Sequence, residues 1–340
     1  MKKAIVALSG GIDSAVSAAL LKDSGFSVKG VFMKLFPGKK GKVSEIRARK
    51  TAKILKIPFS VLPLEKEFKK RVIGCFLKDS KKGLTPNPCI VCNKEIKFGL
   101  FLEKALKQKA DFIATGHYAR TKDGRLLKAK DKEKDQSYFL WRLSQKQLKR
   151  VIFPIGVHTG QEVEKMAKKF KLPFAGVRKS QEICFIPRTV GEFFKNNLES
   201  KPGQIINARG DVLGNHQALH FYTIGQRKGI ELSGGPYYVL DKDFKKNILM
   251  VTKNERDLFK KELYIRQVNW LIGKKPILPL KINAKIRYRQ KASSAKIFKK
   301  SNSEFYRLVF DRAQRAVTPG QSVVFYQGSE VLGGGIISFY

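Results

Sequence analysis

Residues able to do chemistry fall in four short stretches. The first is Ala7-Leu8-Ser9-Gly10-Gly11-Ile12-Asp13-Ser14. Paired glycines let the backbone bend tightly and approach a ligand, Ser9 and Ser14 bring hydroxyls, and a helix starting here points unpaired N–H groups at an anion. The Walker lysine is missing, so Ser-Gly-Gly-x-Asp-Ser is another kind of phosphate turn. The second stretch, Asn87-Pro88-Cys89-Ile90-Val91-Cys92, places two thiols three residues apart at the start of an expected helix, where the helix dipole and Lys94 favour thiolate. The third ends an apolar run in Gly116-His117-Tyr118, and a histidine at a strand end beside a phosphate turn reads as functional. The fourth is the strand-like run Ser180 to Ile186 around Cys184, which alone reads as packing. Cys75, inside an apolar helix face, also reads as buried packing. His216 and His220 stand four apart without a cysteine or carboxylate in register, and no second Cys-x-x-Cys completes a zinc set.

The elements around these stretches must bring them together. Ala4 to Leu8 reads as a buried parallel strand, a helix follows through Leu20, and Phe26 to Met33 returns as a strand, closing a β–α–β unit. Met33, at that strand's end, reads either as packing or as a cover for an adenine. Helix at 44–56, strand at 57–62, helix at 67–78 and strand at 110–114 continue the alternation, with a hairpin turning at Asp123-Gly124 and a helix at 159–170. The fold expected is α/β, a doubly wound and mostly parallel sheet. From Gly203 short aromatic and glycine-rich runs, such as Phe221 to Gly229, suggest a small central β module. From 261 onward, alternation such as Leu280-Lys281-Ile282-Asn283-Ala284-Lys285 predicts an antiparallel sheet closed to a barrel. The domains expected are therefore 1–200, 201–260 and 261–340.

The 340 residues carry 69 lysines and arginines against 28 acidic residues, a net charge of +41 spread along the whole length. Such a surface draws a polyanion by counterion release, and RNA is the natural one; a lysine-rich surface that merely solvates the protein is the alternative. Arg287, Tyr288, Arg289 and Gln290 form a basic, aromatic rim suited to phosphates and a stacked base, and Thr318-Pro319-Gly320-Gln321 is a turn that displays Gln321. No apolar run reaches the roughly 18 residues of a membrane span, the chain enters a strand at once, and four cysteines are too few for a disulfide scaffold. A cytoplasmic protein without membrane attachment is expected.

The first stretch resembles the PP-loop of ATP pyrophosphatases. Joined to Thr85-Pro86-Asn87-Pro88 with Cys92-Asn93-Lys94-Glu95-Ile96-Lys97-Phe98, and to Asp111-Phe112-Ile113-Ala114-Thr115-Gly116-His117-Tyr118, it is similar to the tRNA-specific 2-thiouridylase family. That resemblance implies an ATP-dependent sulfurtransferase. Residues 7–14, Met33 and Gly116 would hold ATP, Asp13 would help hold Mg²⁺, Cys184 would carry a persulfide supplied by a donor protein, and Cys92 would release the sulfur, either by attacking the persulfide or by closing a disulfide with Cys184. Asn87, Pro88, Cys89, His117, Lys134, Asp135 and Gln136 would meet the anticodon stem-loop of a tRNA with a wobble uridine, together with Arg287, Tyr288 and Gln321. One position departs from the family: Cys89 stands where an aspartate is expected, and a thiol is a weak substitute for a carboxylate in acid–base work. Three thiols at 89, 92 and 184 open a second use, an iron–sulfur cluster presenting hydrosulfide. Two other functions stay open: a small-molecule PP-loop ligase of the argininosuccinate synthetase kind, which needs neither the thiols nor a basic barrel, and a non-catalytic RNA-binding protein.

Overall fold

Alternation along one strand decides the architecture of the N-terminal half. The computed structural model describes residues 1–172, 183–186, 188–299 and 303–338. Its strands begin with β1 (Lys3–Ala7), β2 (Ser27–Lys34), β3 (Phe59–Pro63) and β4 (Phe112–Ala114), followed by the hairpin β5 (Arg120–Lys122) and β6 (Arg125–Leu127), then β7 (Val151–Ile152). Five of these form a sheet in the order β3-β2-β1-β4-β7, every pair parallel. Ala4, Val6 and Leu8 pack with residues of α1 (Ile12–Asp23) and α2 (Lys39–Ile54), whereas Ile5 and Ala7 pack with Phe98 and Phe101 of the helix spanning 88–107. Both faces are therefore covered, which explains why β1 is an unbroken apolar run. The doubly wound sheet expected from the sequence is present.

A central module follows: β8 (Gly203–Ile206), β9 (Val212–His216), β10 (Tyr238–Asp243) and β11 (Ile248–Thr252), in the order β10-β11-β8-β9. Ile205, Val239, Leu249 and Val251 fill its core. The run 221–229, expected as strand, is instead the end of a 3₁₀ turn and loop, because Gly225 and Gly229 adopt positive φ.

Six strands close the C-terminal barrel: β12 (Phe259–Trp270), β13 (Leu280–Lys285), β14 (Ser293–Lys299), β15 (Tyr306–Arg315), β16 (Ser322–Gln327) and β17 (Glu330–Ser338). Their order is β12-β15-β14-β13-β16-β17, and β12 pairs with β17 to complete the ring. Ile282 and Ala284 point inward while Lys281 and Asn283 face out, as alternation requires. The barrel is not a separate bead. Leu127 of β6 pairs with Glu330 of β17, and Trp141 and Leu143 share a core with Leu271, Val324, Tyr326 and Val331. Shared burial of this kind fixes the barrel against the nucleotide fold.

Candidate active site and nucleic-acid interface

The glycine turn folds on its own hydroxyls. Ser9 N donates to Ser14 Oγ at 3.1 Å, Ser14 Oγ donates to Gly11 O at 2.9 Å, and Ser9 Oγ lies 3.1 Å from Ser14 Oγ. Gly10 has φ +78°, and a Cβ there would stand 2.2 Å from the Ser44 carbonyl of α2. Glycine is thus required twice over, by conformation and by close approach. A Cβ on Gly116 would meet Ser14 N at 2.6 Å, so the end of β4 sits directly against the start of α1. Ala7 and Leu8 are buried lead-in residues, and Ile12 packs below the turn. Asp13 is held from across the sheet, its Oδ1 accepting from Tyr118 Oη at 2.9 Å. Met33 packs with Leu62 and the apolar cluster containing Leu64 and Phe68.

Asn87 caps the next helix, its Oδ1 accepting from Cys89 N at 3.1 Å, and Pro88 occupies the first helical position, where its missing N–H is harmless. The helix runs α over Pro88–Cys92, π over Asn93–Leu100 and α again over Phe101–Lys107. Cys92 is 7 % exposed among Leu64, Phe68, Val72 and Ile96. Here the expectation of a ready thiolate is corrected. Burial pushes the Cys92 thiol up to about 12 and raises Cys89 as well. The opposing positive charge comes from Lys97, not Lys94, which lies 3.9 Å from Glu95. Cys89 and Cys184 are both near enough to Cys92 to add to its upward shift by repulsion.

Ile183–Ile186 is a turn rather than a strand, with Cys184 exposed; Ser180, Gln181 and Glu182 lie outside the described residues. Phe185 anchors that turn, its ring edge-on to Phe68 at 5.7 Å and to Phe76 at 5.9 Å. Cys75, expected buried, is exposed, because its helix turns Phe76 and Val72 inward instead. No cysteine of the described residues is in a disulfide, so the pairing of Cys92 with Cys184 is not formed in this state.

Lys97, Thr115 and Tyr118, which sequence reasoning gave no role, join His117 in tying the two halves of the site. Lys97 Nζ donates to His117 Nε2 at 3.4 Å, and His117 Nδ1 lies 2.8 Å from Thr115 Oγ1. Desolvation and Lys97 hold the His117 pKa well below the usual value, so the ring is neutral, Nε2 accepts and Nδ1–H donates to Thr115. The adjacent Tyr118 is the partner of Asp13. A line of contacts therefore runs from the phosphate turn through Tyr118 and His117 to Lys97 and the thiols. Lys97 is five residues beyond Cys92, off its face in an α-helix; the i→i+5 winding of the π segment brings it around. Nothing in the residue spacing signals that segment.

The residues expected at RNA have mixed placements. Asp135 is buried, accepting from Ala129 N, Ser137 N and Ser137 Oγ, and Gln136 Oε1 accepts from Tyr118 N, so both shape their own loop. Lys134 stacks its ammonium 5.1 Å over the Tyr118 ring. Arg287 donates to Ile224 O, Ala316 O and Thr318 Oγ1 at 3.0–3.1 Å, pinning the central module to the barrel. Tyr288 packs on Phe139 at 4.5 Å, and Gln321 Nε2 donates to Thr85 O at 2.7 Å, docking the barrel turn on the loop before Asn87. His216 and His220 are structural: His216 Nε2 lies 3.1 Å from Asn247 O, and His220 packs against Phe194 and Phe221. Among the described residues no three His, Cys, Asp or Glu side chains stand close enough to hold a metal ion, and no helix is long and apolar enough to cross a membrane.

Comparison with known proteins is consistent along the chain. The family described as "tRNA methyl transferase HUP domain" matches residues 2–188, "tRNA methyl transferase PRC-barrel domain" matches 191–253, and "Aminomethyltransferase beta-barrel domain" matches 260–337. The protein is 44% identical to the tRNA-specific 2-thiouridylase MnmA of Syntrophomonas wolfei over 98% of this chain and 99% of that one. Identity is again 44% to the MnmA of Halothermothrix orenii, covering 99% of both chains, and 42% to MnmA 1 of Clostridium tetani, covering 99% and 96%. With identity of this order along its whole length, the chain belongs to the tRNA-specific 2-thiouridylase MnmA family.

Proposed function

We propose that this protein is an ATP-dependent tRNA sulfurtransferase that converts the wobble uridine to 2-thiouridine, forming AMP and pyrophosphate. The uridine O2 is a poor leaving group until it attacks the α-phosphorus of ATP; pyrophosphate then departs, and the oxygen later leaves as AMP. The turn at residues 9–14 suits the pyrophosphate, since no side chain caps the N-terminus of α1 and its first N–H groups are left for an anion. Mg²⁺ fits the oxygen-only donors here, Asp13 and the phosphates themselves, and would neutralise charge on the leaving pyrophosphate. Asp13 is kept in place by Tyr118.

Sulfur arrives on exposed Cys184 as a persulfide made by a donor protein. Its outer sulfur bonds to C2; Cys92 then attacks Cys184 Sγ, the S–S bond breaks toward the uridine, and a Cys92–Cys184 disulfide remains for a dithiol to reduce. Alternatively Cys92 attacks first and frees hydrosulfide as the nucleophile. Lys97 offsets the thiolate that either route needs. Asn87, Pro88, Cys89 and His117 border the space where the base would lie, while Lys134 and Tyr288 present groups to the RNA. Burial pushes the Cys89 thiol up, so it is too protonated for the acid–base task of a carboxylate. An iron–sulfur cluster on Cys89, Cys92 and Cys184 would need those thiols to draw together; iron and acid-labile sulfide in anaerobically purified protein would favour it.

The observation that carries this reading is the nearness of Cys184 and Cys89 to Cys92, with Lys97 and His117 joining them to the phosphate turn. The test is incubation with tRNA, Mg·ATP and a persulfide-carrying sulfur-donor protein, followed by mass analysis of digested nucleosides. Thiolation that requires Cys92 and Cys184 supports it. A small-molecule ligase would keep full activity in Cys92→Ser and Cys184→Ser, and a simple RNA binder would release no pyrophosphate.

A further inference from the structure

The helix at 88–107 has a second functional side. Asn87, Ile90, Val91 and Glu95 line an open groove of about 810 Å³ between the nucleotide fold and the barrel, and Val91 also packs on the cluster around Cys92. Five cations border it: Lys66, Lys70 and Arg71 from the helix at 65–81, Arg142 from the loop after Trp141, and Arg266 from β12. Its carboxylates, Glu67, Asp79 and Glu95, lie on the helical wall, where Glu95 pairs with Arg71 at 3.4 Å.

The opposite wall carries Trp141, Arg142 and Arg266 beside Gln267, Ser322 and apolar Ile336 and, among the described residues, no carboxylate. Arg142 is half-buried with its guanidinium 5.7 Å from the Trp141 ring centre, and among the described residues no acceptor hydrogen-bonds to it. Trp141 Nε1 and Arg266 Nε are buried without an acceptor. The groups that can reach a ligand in the groove are the half-buried Arg142 guanidinium and the exposed ammoniums of Lys66 and Lys70, all of them donors. Two arginine forks match phosphate oxygens in geometry and charge. The volume lies within the roughly 300–1,000 Å³ of ligand sites and admits a short single-stranded stretch, not a duplex.

We propose that this groove binds the sugar-phosphate backbone of the RNA substrate a few nucleotides away from the reacting uridine, with Arg142 and Arg266 on the phosphates and Lys66 and Lys70 at the rim. The proposal rests on the tRNA reading above and adds to it a groove that meets the site of the base at Asn87 and is otherwise lined by residues with no part in the reaction. Because the groove does not touch the reacting atoms, it contributes the same binding to substrate and transition state, and its loss raises KM while leaving kcat.

The experiment measures binding of a fluorescent anticodon stem-loop, without ATP, across a salt series. It uses wild-type protein, Arg142→Gln, the exposed pair Lys66→Gln/Lys70→Gln, and the pair Lys168→Gln/Lys169→Gln on the helix Gly160–Lys169, which removes the same charge elsewhere. In the groove variants the slope of log K against log salt should fall by about 0.7 per lost contact, with KM raised and kcat kept. The distant pair should keep the wild-type slope. The exposed lysine pair tests the groove even if Arg142→Gln folds poorly. Wild-type slopes in the groove variants, equal losses in the distant pair, or unchanged RNA binding with slower sulfur uptake from a donor protein would each overturn the proposal. If wild-type protein thiolates the stem-loop while the groove variants keep its slope, the groove alone is refuted. If wild-type protein fails to bind the stem-loop, the tRNA reading falls with it.

Discussion

The phosphate turn and the thiol pocket are neighbours built on opposite principles. Around Ser9 and Ser14 the polar groups are mutually hydrogen-bonded and Asp13 is already held by Tyr118, so the turn is organised before a ligand arrives. Around Cys92 the surroundings are apolar, the thiol is pushed up to about 12, and the nearest help is one lysine shared with a neutral histidine. The difference separates activation from sulfur transfer. On the proposed reading, adenylation uses a turn that is already organised, whereas the Cys92 thiol is held protonated by burial and needs Lys97 to reach the thiolate.

The sharpest way to break this contrast is at the turn. Asp13→Ala should lower pyrophosphate release by roughly a hundredfold or more while leaving stem-loop binding intact; normal turnover would remove Asp13 from the ATP site. At the pocket, Cys92→Ser should abolish thiolated nucleoside yet leave ATP–pyrophosphate exchange on tRNA within about twofold of wild type, because adenylation precedes the step that needs the thiol. Lys97→Met should slow iodoacetamide labelling of Cys92 at pH 9 by roughly several-fold, because losing the ammonium leaves the thiol more protonated, with Cys75 labelling unchanged as the internal control.

Protonation also enters stability. Folding raises the Cys92 thiol from 9.0 to about 12, so the folded chain binds that proton more tightly than the unfolded chain does. The resulting stabilisation is complete below pH 9 and is lost as pH rises toward 12; in a melting series over that range wild type should fall more steeply than Cys92→Ser. The smallest effect concerns Arg287. Its bonds to Ile224, Ala316 and Thr318 make Arg287→Ala a stability variant, losing about 2 kcal/mol, and the salt dependence of RNA binding should not change.

Those outcomes also mark what a reader of the sequence can and cannot extract. The Ser9–Ser14 turn is legible because its six residues are contiguous and sit between a strand and a helix that each announce themselves. The barrel is legible where Ile and Lys alternate, less so in Ser293–Lys299, where serines dilute the pattern. Lys97 is hidden because a π segment changes which residues share a face with Cys92. Arg287 is ambiguous for a different reason: an arginine beside a tyrosine looks the same in sequence whether its partners are phosphates or, as at its Nη2, the protein's own carbonyls. The insertion of β6 beside β17 depends on contacts two hundred residues apart and leaves no local trace.

Coupling between the two regions is the central claim, and one measurement reaches it directly: AMP and 2-thiouridine counted together in a single time course with Mg·ATP, tRNA and persulfide-loaded protein. One AMP should form for each thiolated uridine, with Cys184→Ser stopping the nucleoside. Thiolated uridine accumulating without AMP would contradict it.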